Sequence, residues 1–290
     1  MAQPATLPGP SSRSRFPIAL PTALVNPSRL RSYVFRLPLF TRLTVCIVVG
    51  LYLLSLQSAW SVVAWGSLKP SVIGLFSGGM YRLNTYVFVH AGFWHMLLNL
   101  LALVPLFERF EKEHGTLTSA ALWLGPLATL PGGLYILVER GLLGWDGEVV
   151  GASVWVFLLL ASEGVRSARG NPYLEIAGAK IPTWSTPLIL TLVVSVLISG
   201  TSLLGHLCGL AVGYLWGLGY IKFLAPPDKA IRWIEGKLNL LGRVPHYVSV
   251  DQKTYGRYGV LPTSANETPH ANAIGLGWVG TNGGQRLGAS

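Results

Sequence analysis

Six long apolar runs, near residues 41 to 60, 85 to 107, 116 to 138, 149 to 162, 184 to 199 and 203 to 224, constrain this chain more than any other feature of its sequence. A helix needs about 20 mostly apolar residues to cross a hydrocarbon core, and the runs before residue 138 and the last one satisfy that. The run at 149 to 162 does not. At 1.5 Å per residue it rises only about 20 Å against a core of about 30 Å, so its start is expected below the membrane surface. Composition points the same way: 51% of the residues are hydrophobic and 12% charged, where a soluble domain has roughly 25% charged. The expected fold class is an all-α membrane protein with six transmembrane helices.

The net charge of +10 raises the question of nucleic acid. The basic residues, however, flank the apolar runs instead of forming one patch, so no nucleic-acid partner is expected and the lipid bilayer takes that place. Lys and Arg accumulate on the cytoplasmic side of membrane proteins. The first 42 residues hold Arg13, Arg15, Arg29, Arg31, Arg36 and Arg42 without one acid, Arg166, Arg169 and Lys180 lie between spans four and five, and Lys222, Lys229, Arg232, Lys237 and Arg243 come at or after the end of span six. The loop at 139 to 149 instead carries Glu139, Asp146 and Glu148 against Arg140. Both termini are therefore expected in the cytosol.

Four regions follow. Residues 1–38 read as a disordered cytosolic arm, 39–224 as the membrane domain, 225–242 as an amphipathic interfacial helix, with Ile231, Ile234, Leu238 and Leu241 at helical spacing, and 243–290 as a disordered tail. The arm is Arg-rich and acid-free like a mitochondrial transit peptide, but its seven prolines oppose the amphipathic helix such a peptide needs. Cys46 and Cys208 fall inside spans and read as apolar fillers. His114, His246 and His270 lie outside the spans and are expected in solvent.

Polar groups inside a span are functional candidates by default. Span two carries His90, His95 and Asn99, with His95 and Asn99 four apart on one helix face and His90 about 140° around the helix from His95, off that face. Ser153 follows Gly151 and Ala152 at the start of the short fourth helix, where small neighbours admit a substrate and free backbone amides favour negative charge. Span six offers His206, beside Gly205, Gly209, Gly213 and Gly217, a strip that lets another helix approach closely. A hydroxyl, an imidazole and fixed donors are the parts of an acyl-transfer site. Ser153 is the expected nucleophile, His206 its base in a dyad without a carboxylate, and His95, Asn99 and the Ser153 amide the oxyanion donors. No metal or organic cofactor is expected.

These residues, in this order, resemble the rhomboid proteases. Tyr81 and Arg82 stand where the family has an aromatic-Arg pair in its first luminal loop, His90, His95 and Asn99 match its helix two, GASV at 151–154 its Gly-x-Ser-Gly opening of helix four, and GHLCGLAVG at 205–213 its helix six. The resemblance covers about residues 40 to 224. It implies the six-helix rhomboid fold and serine endopeptidase activity on transmembrane segments of membrane proteins, with Arg82, His90, Gly151, Gly205 and Gly209 in supporting roles. Tyr81 replaces the usual Trp, and Val154 replaces the Gly after the nucleophile, where its side chain could narrow the pocket or push helix six away.

The chain's last residues, WVGTNGGQRLGAS, resemble the Gly-rich box by which membrane-degradation cofactors bind the valosin-type AAA ATPase, with Gly284, Arg286, Leu287 and Gly288 at its end and Trp278 as the upstream aromatic. A peptide of residues 276–290 is expected to pull down that ATPase, and Leu287→Ala to abolish the capture; no capture by the unaltered peptide leaves only a flexible tail. A rhomboid core with such a tail is similar to the fungal Golgi rhomboid, which implies a Golgi membrane, with the endoplasmic reticulum or endosome as alternatives and the mitochondrial inner membrane disfavoured, and processing of membrane-bound transcription factor precursors. The competing reading is an inactive, derlin-like adaptor that delivers membrane clients to the ATPase, which Val154 and the tail would suit. A solute transporter lacks its signatures here, inverted repeats and paired broken helices.

Overall fold

Every one of the six apolar runs contains helix in the computed structural model, which describes residues 27–253 apart from 75–77, 177 and 199. The chain begins with α1 (Pro27–Arg36) and α2 (Leu39–Ser55), then crosses an irregular stretch holding two short helices, α3 (Val62–Gly66) and α4 (Arg82–Thr85). Next come α5 (Phe93–His114), α6 (Thr116–Trp123) and α7 (Pro126–Ile136), the last two separated by a break at Leu124 and Gly125. Then follow α8 (Ser153–Ala168), a two-stranded antiparallel hairpin of β1 (Tyr173–Ile176) and β2 (Ala179–Pro182), α9 (Thr186–Leu197) and α10 (Leu203–Leu218). Two short helices, α11 (Asp228–Leu238) and α12 (Leu240–Arg243), close the described part.

Phe93–His114 and Thr116–Leu142 are long and apolar enough to cross a membrane, and Leu39–Ser55 and Thr183–Leu197 are shorter apolar helices. The helical stretch after α10 turns away from it by 90°, so α11 does not prolong that helix.

α8 is the central element. Val154 through Leu159 are all buried, as an all-round apolar helix must be if neighbours surround it. On one side its Trp155 joins Phe107 of α5 and Trp123 of α6 in an aromatic cluster with centroids 4.7 to 5.5 Å apart, and the Trp155 indole N–H donates to Leu127 O at 3.2 Å. On the other side lies α10. A Cβ on Gly209 would stand 2.4 Å from Val154 O, one on Gly213 2.1 Å from Leu158 O and one on Gly217 2.8 Å from Ser162 O. The every-fourth-residue glycines of α10 thus meet carbonyls at the same spacing on α8, and only hydrogen side chains permit that approach.

Three expectations are corrected at the α5 carboxyl-terminal end. The arm assigned to residues 1–38 contains α1, held by Tyr33, whose hydroxyl donates to Glu108 at 2.8 Å. The tail assigned to 243–290 begins with a packed segment: Leu39 N–H donates to His246 O at 2.9 Å, Thr116 N–H to Val248 O at 2.8 Å, and Glu235 of α11 accepts from the Tyr247 and Ser249 hydroxyls and the Val250 amide. Burial and the Glu235 carboxylate push the Tyr247 phenol above its usual range. His114, expected in solvent, is buried; its Nδ1–H donates to Phe110 O at 2.9 Å and its ring stacks on Phe110. In each case a partner distant in sequence, or a side-chain bond no periodicity reveals, supplies what local composition lacks. Fully buried Glu111 gathers the same corner, accepting from the amides of Phe40 and Thr41 and the hydroxyls of Thr41 and Thr116 at 2.6 to 2.8 Å. That is charge satisfied at a helix amino terminus.

Candidate active site

The irregular stretch before α4 is organised around Arg82, whose guanidinium donates to Ala64 O at 2.7 Å and Ser67 O at 2.9 Å, while Tyr81 donates to Trp65 O at 2.9 Å. Leu68 and Val149 exchange both backbone hydrogen bonds at 2.9 Å, which ties this stretch to the chain entering α8. Asp146 adds a surface tether: it accepts from Ser71, and that bond, with the Lys69 ammonium, holds its carboxyl below the usual range.

Two more bonds then fix the residues just ahead of Ser153. Gly151 N–H donates to Tyr86 O at 2.8 Å and Ala152 N–H to His90 Nε2 at 3.3 Å, with the other His90 nitrogen 3.2 Å from Phe88 O. Together they assign His90 the tautomer protonated at Nδ1. His90 is therefore no member of the helix that carries His95 and Asn99, because α5 begins only at Phe93; the 140° estimate, which assumed one continuous helix, does not apply. Gly151 has φ +113°, a backbone conformation that side chains resist, and a Cβ there would lie 2.7 Å from His95 Nε2 and 3.4 Å from Asn99 Nδ2.

Ser153 is the first residue of α8, and its hydroxyl is not a cap. The N-cap is Ala152, without a side-chain bond, and Ser153 Oγ instead lies 2.9 Å from His206 Nε2 on α10. The Ser153 amide is the first of the helix and has no intrahelical carbonyl to donate to. Val154, placed by the sequence as a threat to this pairing, turns into the α8–α10 contact, where Gly209 leaves room for it. His206 is buried, with the Phe157 ring 4.6 Å away, and its second nitrogen, Nδ1, is 3.3 Å from Ser195 Oγ on α9. Ser195 is a residue the sequence did not disclose. It lies in an apolar run, and only the fold brings it to the imidazole.

His95 Nε2 and Asn99 Nδ2 are buried and have no hydrogen-bond partner. Buried polar atoms are almost always paired, so two orphans beside the Gly151–Ser153 turn are notable; Asn99 Nδ2 is a donor, and His95 Nε2 is one in the tautomer protonated there. Both side chains, with Ser153 and His206, line a cleft of about 610 Å³ whose walls are apolar residues of α5, α8 and α9, among them Trp94, Leu98, Val156, Phe157, Leu190 and Val194. A small polar cavity of about 30 Å³ touches Ser153, His206 and His95 from another side and is bordered by Glu148, Thr201 and Ser202. It is large enough for water. Among the described residues no group of three or more His, Cys, Asp or Glu is placed to hold a metal ion. Trp278, Gly284, Arg286, Leu287 and Gly288 lie outside the described residues.

A family model described as the Rhomboid domain matches residues 77–223. The chain is 58% identical to rhomboid-type serine protease B of Aspergillus fumigatus over 272 residues, covering 94% of this chain and 98% of that protein. It is 54% identical to rhomboid-type serine protease 2 of Neurospora crassa, over 91% of this chain and 94% of the relative. With rhomboid-type serine protease 2 of Yarrowia lipolytica the identity is 31%, over 71% and 68%.

Proposed function

The chain belongs to the rhomboid family, and on that footing we propose that it is an intramembrane serine endopeptidase in which Ser153 and His206 form the catalytic dyad. The observation that carries this reading is the 2.9 Å Ser153 Oγ to His206 Nε2 contact beside two unpartnered donors. His206 Nε2 takes the hydroxyl proton as Ser153 Oγ attacks the scissile carbonyl carbon. The resulting oxyanion accepts from His95 Nε2–H, Asn99 Nδ2–H and the Ser153 amide, a set in which one donor is worth about 3 kcal/mol. The His206 imidazolium then protonates the leaving amine, and the acyl-enzyme is hydrolysed by water, for which the small polar cavity is the natural reservoir. His206 again serves as the base.

The apolar cleft suits a transmembrane segment of another membrane protein. Such a segment must expose its backbone to react, so Gly, Ala or Pro near the cleaved bond is part of the proposal. The six helices are proposed to cross the bilayer with both termini in the cytosol, following the distribution of Lys and Arg. A Golgi membrane as the site of action, membrane-bound transcription factor precursors as substrates and a valosin-type ATPase as tail partner complete the reading.

The test is covalent. A fluorophosphonate probe applied to the full chain in detergent is expected to label the wild type and not Ser153→Ala. An unlabelled wild type that still turns over membrane clients would favour the adaptor.

A further inference from the structure

An imidazole can take a hydroxyl proton through Nε2 only if its own proton sits on Nδ1, and a neutral histidine is free to choose either nitrogen. In soluble serine hydrolases a buried carboxylate makes that choice. Here the atom facing His206 Nδ1 is Ser195 Oγ, at 3.3 Å. We propose that Ser195 is a positioning residue for the base: it accepts the Nδ1–H bond of His206, holding Nε2 unprotonated and aimed at Ser153.

Three observations carry this. His206 is buried, so an Nδ1–H left without a protein acceptor would cost free energy. The Phe157 ring lies 4.6 Å from the imidazole centroid at 46° and fixes a face of it without supplying an acceptor. The two bonds of the ring leave in opposite senses, to Ser153 on α8 and to Ser195 on α9, so the base is held at both edges by different helices. The ordinary role of a serine within a membrane helix is to donate to the carbonyl four residues back. Such a bond, to the Thr191 carbonyl, would spend the proton of Ser195 and leave its lone pairs for His206, so the two roles are compatible. A hydroxyl carries no charge, so it orients the imidazolium without stabilising it as a carboxylate does, and a moderate effect on rate is expected.

The inference rests on the proposed dyad, and the experiment separates the two. The full chain in detergent is inactivated with a fluorophosphonate, and its kinact and KI are measured for wild type, Ser195→Ala, Ser195→Val, Ser195→Thr and Ser153→Ala, with thermal unfolding of each. Ser195→Ala and Ser195→Val are expected to lower kinact about tenfold at unchanged KI. Ser195→Thr, the same shape as Val but with the acceptor, is expected to return within about twofold of wild type. Equal kinact for Thr and Val, or wild-type kinact for Ala, overturns the role of Ser195 alone. Labelling of Ser153→Ala at the wild-type rate overturns the dyad itself. An effect of Val that follows a fall in unfolding temperature shared by Thr is packing, and counts against the proposal.

Discussion

Ser153→Ala and His206→Ala are each expected to lower cleavage of a transmembrane peptide in proteoliposomes by about a thousandfold or more, with the double variant no worse than either single one. In the proposed dyad the two side chains act as one device. Without the imidazole the hydroxyl keeps its proton, and without the hydroxyl the imidazole has nothing to deprotonate, so the losses do not add. Neither change should unfold the protein, because Ser153 is not the cap of α8 and its Oγ makes its bond to the very group under test. Residual cleavage is expected to come from the His95 and Asn99 donors and from binding in the cleft. Single-turnover measurements on purified variants check this, and undiminished cleavage by Ser153→Ala would move the nucleophile elsewhere.

The second large effect concerns glycines that touch no substrate. Gly213→Val and Gly209→Val are expected to destabilise the protein by about 3 kcal/mol or more each, at or beyond the upper end of ordinary overpacking, because the first added carbon already stands 2.1 or 2.4 Å from a main-chain oxygen of α8. Backbone cannot rotate out of the way as a side chain can, so α8 and α10 must part. At Gly209 the parting occurs one helical turn from His206 and opposite Val154, the neighbour of Ser153, so loss of activity should exceed what lost stability explains. Gly50→Ala is the control. Its added carbon meets nothing within 4 Å, and a small gain from helix propensity is expected. Thermal unfolding together with fluorophosphonate labelling separates the two consequences; an unfolding temperature for Gly213→Val equal to that of Gly50→Ala would sink the close-contact argument.

Much of this arrangement can be read from spacing. Small residues every fourth position on one helix demand a neighbour at short range, and the short apolar run at 149 to 162 supplies it, which brings Ser153 and His206 together. His95 and Asn99 are legible for the same reason, being four apart on one helix. His90 is misread as a helical residue because the apolar run continues smoothly through Ala91 and Gly92, and nothing in hydropathy marks the bonds to Phe88 and Ala152 that keep it in a loop. Ser195 is easily passed over: it is one of several hydroxyls in its apolar run, with Thr191 four residues before it and Ser199 four after, and which of them matters emerges only when α9 is set against α10. The same holds for α1 and the segment at 244–253. They are ordered by Glu108, Thr116 and Glu235, partners up to 132 residues away, and composition alone reads them as solvent-loving.

α8 has 16 residues and α9 only 12, which at 1.5 Å per residue is about 24 and 18 Å of rise. α8 is sheltered by its neighbours, but Val193, Val196 and Leu197 of α9 are exposed, the flank that lipid acyl chains meet in the proposed six-span arrangement. In that arrangement a hydrocarbon layer of ordinary depth would have to pinch inward there, storing elastic strain that grows with every ångström of mismatch. Thin bilayers relieve that strain and thick, sterol-rich ones add to it, so lipid composition becomes a variable acting on the wall that carries Ser195.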